Sequence, residues 1–156
     1  FQYDGYVGHM VPNSPVFTFP ASQVLSVVDR GSHWIRTNEV STMYGSSGLP
    51  PQTDRKITIS GKHHVGGVWL PPSVLTTLRV DQVRDSDPAT GCQTRVCFNG
   101  PLPDGRRVTG ISEITSSFGY EYYYLQDTGM LVSTRCWYNT TPGMTYVSEL
   151  HLKGYQ

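Results

Sequence analysis

Charge is scarce in this sequence. Only 15% of the 156 residues are charged, and twelve Lys plus Arg balance twelve Asp plus Glu to a formal net charge of zero. A basic stripe is lacking, and with it the phosphate-driven affinity of a nucleic-acid-binding protein. No long apolar run is present, so no segment reads as a membrane-spanning helix. Catalytic signatures are missing too: there is no G-x-S-x-G elbow, no phosphate-cradling G-x-x-x-x-G-K and no H-E-x-x-H. Cysteine is limited to Cys92, Cys97 and Cys136. The four-residue gap in Cys92-Gln93-Thr94-Arg95-Val96-Cys97 suits a disulfide-closed loop at a strand edge; Cys136 is the alternative partner, and either pairing leaves one thiol over. No second Cys or His pair stands at a zinc-ligand offset, and adjacent His63 and His64 would point to opposite faces of a strand, so no metal or other cofactor is expected.

Turn residues, by contrast, are abundant. Eleven prolines and sixteen glycines leave short stretches rich in Val, Ile, Thr, Tyr and Trp between them. That is the pattern of an all-β sandwich of short antiparallel strands, and the length suits one domain. Strands are predicted over 2–10, 16–19, 23–29, 34–42, 55–60, 67–70, 76–84, 93–98, 107–117, 119–126, 130–138 and 144–153. Two segments, 23–28 and 73–78, each permit one apolar helical stripe, but β-branched residues and flanking prolines favour strands or a single turn. Residues 45–51 read as an exposed Gly/Ser/Pro loop, and Pro103-Asp104-Gly105 as a turn. The chain opens on Phe1 without a basic and apolar leader and carries one sequon, Asn139-Thr140-Thr141. A mature secreted or surface-displayed protein is expected from these features.

Residues 120–133, YEYYYLQDTGMLVS, admit two chemistries. Asp127-Thr128-Gly129 matches the catalytic tripeptide of aspartic proteases, in which two carboxylates share a proton and activate a water. A second such tripeptide is missing, and Leu125-Gln126 stands where two apolar residues would precede the Asp. As a β-hairpin the same stretch is consistent throughout: Tyr120, Tyr122 and Tyr124 project from one face, Glu121, Tyr123 and Leu125 from the other, and Asp-Thr-Gly turns the chain. Glu113 with Glu121 or Asp127 would be a glycosidase-type carboxylate pair, an arrangement that any all-β chain offers. The hairpin is the preferred reading, and catalysis is not expected.

Three Trp, ten Tyr and five Phe set against few charges suit a surface that binds by stacking and a few hydrogen bonds. Sugars present that mixture of C–H faces and hydroxyls. Aromatic residues beside turn signals are the candidates: Trp34 after Arg30-Gly31-Ser32-His33, Tyr44 before the Gly/Ser loop, and Tyr138 with Asn139 before Thr140-Thr141-Pro142-Gly143. Asp54, Asp104 and Asp127 are loop carboxylates able to accept from hydroxyls, and Arg30, Arg36, Arg55 or Lys62 would meet an acidic sugar or a protein receptor. Trp69 reads as a core residue.

In opening residue, length, all-β pattern, low charge and one expected disulfide, the chain resembles the N-terminal receptor-binding domain of two-domain bacterial chaperone–usher pilus adhesins. Three cysteines depart from the even count of that family, and no family site residue matches a position here. The resemblance implies a lectin-like domain at a fimbrial tip whose partner is a host glycan or glycoprotein receptor. The end at Gly154-Tyr155-Gln156 would then meet a second, pilin-like domain of the same chain. A structural protein, such as a viral coat or spike fragment or a pilus subunit, is the rival expectation, and a hydrolase using Asp127 the third.

Overall fold

Between its turn residues the chain forms ten strands in the computed structural model, which describes residues 1–11, 14, 16–45, 49–61, 65–141 and 143–154. They are β1 (Gln2–Met10), β2 (Phe17–Arg30), β3 (Trp34–Met43), β4 (Gln52–Gly61), β5 (Val83–Asp87), β6 (Cys92–Pro101), β7 (Arg107–Ile114), β8 (Phe118–Leu125), β9 (Leu131–Thr141) and β10 (Met144–Gly154). One short helix, α1 (Pro72–Leu75), lies between β4 and β5. The all-β expectation holds, with the strands joined in a single sheet of order β4-β3-β2-β1-β10-β9-β8-β7-β6-β5. Every neighbouring pair is antiparallel. The chain meanders outward from β1 to β4, crosses to the opposite edge, and meanders back from β5 to β10.

The sheet is curled, and a few hydrogen bonds prove it. In a flat sheet β4 and β9, five places apart in the order, would lie about 24 Å from each other. Yet Val68, in the crossover, touches both: its N–H donates to Ser60 Oγ of β4 at 3.1 Å, and its carbonyl accepts from the Leu131 N–H of β9 at 3.0 Å. The crossover therefore lies inside the curl. Leu70, Leu75 and Leu78 are buried there against Tyr3, Leu25, Ile35, Val96, Ile111, Tyr124 and Leu131, side chains drawn from seven strands. A smaller cluster on the other face gathers Val108, Leu125 and Val132.

Three local departures from the sequence reading have physical causes. Predicted strands 16–19 and 23–29 are one strand, because Pro20 sits where β3 has already ended at Met43. Its carbonyl accepts from the Tyr44 N–H at 2.9 Å, so its nitrogen faces the same side, beyond β3, and the missing donor costs no ladder bond. Segments 67–70 and 76–82 are not sheet strands, and of predicted 76–84 only Val83 and Arg84 join the sheet, at the start of β5. Pro71-Pro72 starts a helical turn there, with the Pro71 carbonyl accepting from Val74 and Leu75, and Trp69 keeps only an isolated bridge to Met130. The third concerns the cysteines, all of which are free thiols. Cys92 and Cys97 lie on one extended strand, about 16 Å apart, far beyond the roughly 4.4–6.8 Å Cα separation of a disulfide. Cys136 is three places away from β6 in the sheet order, so neither expected bridge can close. Lys62, His63 and His64, with residues 46–48 of the Gly/Ser loop, lie outside the described residues.

Candidate functional site

The Tyr-rich strand positions the site. On β8, Phe118, Tyr120, Tyr122 and Tyr124 alternate onto the concave face as a ladder, with successive ring centroids 5.6, 6.1 and 6.5 Å apart. The rings of Tyr120 and Tyr122 are parallel within 2°. At the end of the sheet nearest the crossover, Tyr124 is fully buried. Its hydroxyl donates to the Gly67 carbonyl at 2.9 Å and accepts from the Gly66 N–H at 3.2 Å. The crossover covers only that half. Toward the other, open end Tyr122, Tyr120 and Phe118 keep partial exposure, and 37% of Tyr138 is exposed.

Register extends this aromatic surface across the neighbouring strands. Phe118 pairs with Tyr138, Tyr138 with Tyr146, and Tyr146 with His9. Tyr138 stacks on Tyr146 at 4.6 Å, and His9 meets Tyr146 edge-on at 5.6 Å. Burial raises the hydroxyl pKa of Tyr120, Tyr122 and Tyr146 above the ordinary tyrosine value, with the Glu113 carboxylate adding to the effect at Tyr120 and Tyr122. These hydroxyls stay protonated near neutral pH and act as both donors and acceptors.

Beside the ladder runs a trough made of three adjoining cavities. The first, about 240 Å³, is mostly apolar, lined by Val7, Phe19, Met43, Leu49, Pro50 and Tyr146. His9 also borders it, and its Nδ1 is buried with no hydrogen-bond partner among the described residues. A second, about 440 Å³, shares Val7 and Met43 with the first and adds Ala21, Ser41, Asp54 and Leu150. The third, about 260 Å³, shares Gln23 and Leu150 with the second and reaches Glu39, Thr58, Tyr122 and Thr134. Ala21 and Ser41 leave the middle of the face shallow, which is why the trough passes between the larger rings and the β4 edge.

The sequence-predicted residues are divided between the two ends. Tyr138, Tyr44 and Asp54 sit at the open end: Tyr138 is in the aromatic surface, Asp54 borders the second cavity, and the Tyr44 hydroxyl lies 3.4 Å from Ser22 Oγ. Asn139 neighbours them but faces the convex side, where its Oδ1 accepts from Thr145 Oγ1 at 3.1 Å. Trp34, Asp104 and Asp127 lie at the crossover end, away from the trough. Trp34 covers two glycines, so a Cβ at Gly31 would fall 2.4 Å from its indole nitrogen. Asp104 is paired with Arg106, and Asp127 caps its own turn by accepting from the Thr128 N–H at 2.7 Å. Arg36 is engaged by Asp29 at 3.3 Å.

Sequence reasoning missed His9, Gln23, Glu39 and Tyr146. Tyr146 and Glu39 sit singly in ordinary alternating strands, and only the order of strands brings them to the trough. Chemically, the arrangement offers flat rings for C–H faces and a largely apolar lining with a few polar side chains, Gln23, Ser41, Asp54, Glu39 and Thr134 among them. Comparison with known proteins finds no family model, no curated protein and no solved structure that matches the chain.

Proposed function

We propose that this protein is a secreted or surface-displayed carbohydrate-binding domain, an attachment module of the fimbrial-adhesin kind, whose ligand lies along the open half of the concave face. One observation carries the reading: the half-exposed surface of Phe118, Tyr120, Tyr122, Tyr138 and Tyr146 borders a trough that is largely apolar and carries polar side chains along it, among them Gln23, Ser41, Asp54 and Thr134. Rings of this kind stack on the C–H faces of pyranoses, and Tyr hydroxyls, Ser, Thr and Gln pair with sugar hydroxyls. Binding at one such site is weak, and multivalent display on a cell surface or fimbria raises it. The partner is a host glycan or glycoprotein, and in a fimbrial setting a pilin-like domain would follow in the same chain.

A glycan array of the isolated domain, repeated with Tyr138→Ala, tests the reading. Loss of the Tyr138 stack is expected to weaken binding about three- to tenfold with the fold intact by circular dichroism. An array blank for the native domain removes the carbohydrate reading.

A specific observation favours the rival, an assembly protein. The edge strand β4 is ten residues long and exposes Ile57 (71%) and Ile59 (62%), while the opposite edge β5 is short, charged and bulged. A long open edge is a template for pairing with another chain. Light scattering separates the two: an attachment module is monomeric, and a coat or pilus-type subunit assembles.

A further inference from the structure

Resting on the carbohydrate reading, we infer that the innermost cavity of the trough, at Glu39, is the seat of a single neutral sugar unit and confers the specificity of the site. Glu39 is 3% exposed, with Lys56 Nζ 3.2 Å away on its solvent side. A carboxylate placed so deep needs hydrogen bonds. It accepts from Gln23 Nε2 at 3.1 Å and from Thr37 Oγ1 at 3.4 Å. Those bonds fix its orientation and leave capacity for one more donor.

Three further polar side chains line the same cavity: Thr58 from β4, Thr134 from β9 and Tyr122 from β8. The Gln23 amide, whose nitrogen is held by Glu39, lines the same space. Leu150 and the Tyr122 ring supply apolar wall. Donors and acceptors thus alternate with a hydrophobic patch, which is the surface chemistry of a pyranose.

Charge and size narrow the ligand. The Lys56 ammonium already neutralises Glu39, so an anionic or cationic ligand gains no net attraction, and a neutral polyol loses none. A volume of about 260 Å³ falls just below the roughly 300–1,000 Å³ of pockets for drug-sized ligands. One ring fits there, and the rest of a chain extends along the second cavity toward Tyr146. Lys56, more than half exposed, stands at the solvent side of the cavity.

The test uses methyl glycosides of glucose, galactose, mannose and N-acetylglucosamine as probes, with saturation-transfer NMR and titration on the whole domain. Tyr122→Phe and Thr134→Val each remove one hydroxyl at constant shape, and Glu39→Gln removes the charged acceptor. One glycoside is expected to bind selectively, and each variant to weaken it at least about fivefold without changing the melting temperature of the first two. Should Glu39→Gln not fold, the hydroxyl variants decide. Binding that survives Tyr122→Phe and Thr134→Val but is lost in Tyr138→Ala overturns this seat while leaving the carbohydrate reading in place. Failure of all four glycosides to bind, together with a blank glycan array, overturns both. Failure of the glycosides with a positive array overturns only the single-unit seat.

Discussion

At the scale of single residues, buried hydroxyls tie the crossover to the sheet. The Tyr124 hydroxyl serves both Gly66 and Gly67, so Tyr124→Phe leaves a part-buried N–H and a buried carbonyl without that partner. The expected loss is about 1–3 kcal/mol, read from urea denaturation, and an unchanged midpoint would contradict this role. Acid stability has its own residue. Burial, which raises the Glu149 pKa, is outweighed by hydrogen bonds from Tyr6 and His151, and the net value lies below the ordinary 4.5. A carboxyl with a depressed folded pKa contributes stability that is present above its unfolded value and is lost as pH falls through the folded one. Glu149→Gln should therefore lower stability at neutral pH and shrink the difference from the native protein below pH 4.5, measured by melting temperature across pH. Much at this scale was legible beforehand. The alternation of Tyr120, Tyr122 and Tyr124 follows from a two-residue repeat, but Glu39 was not legible, because nothing local marks a strand residue that tertiary pairing will bury.

Among elements, β8 and β9 form the hairpin that the turn chemistry of Asp127-Thr128-Gly129 predicts. Asp127-Thr128-Gly129 forms its turn, with Gly129 at φ +76. A Cβ at Gly129 would sit 2.0 Å from the Leu70 carbonyl oxygen, and the backbone angle adds about 1–2 kcal/mol for a residue with a side chain. Gly129→Ala is therefore expected to destabilise the fold by more than about 2 kcal/mol in a thermal melt, and a neutral effect would mean the crossover does not pack there. Turn chemistry made this hairpin readable. The bulge between Tyr123 and Tyr124, which moves Leu131 onto the concave face, left no sequence mark. Nor did the fate of 67–82, where Pro71-Pro72 outweighed the β-branched pattern around it.

For the whole molecule, the two sheet edges are unequal. β5 is protected by its brevity, its charges and its bulge, whereas β4 offers ten residues with two isoleucines facing solvent. Ile57→Lys should raise the concentration at which the heated protein aggregates, with native stability changed by no more than about 0.5 kcal/mol; turbidity scans check this, and an unmoved onset would place the sticky surface elsewhere. That all ten strands belong to one curled sheet could not be read from composition, which gives strands but not their order. Order comes from pairings between residues far apart in the chain, and it alone assembles His9, Tyr146 and Glu39 around one trough.

The place of β1 beside β10 also governs how this chain reaches its native state. Tyr3 is opposite Leu152, so the central seam of the sheet joins the first strand, β1, to the tenth, β10. A nascent chain leaving the ribosome cannot zip that seam until β10 has emerged. Contacts of such long range make folding slow, in the millisecond-to-second regime of β topologies.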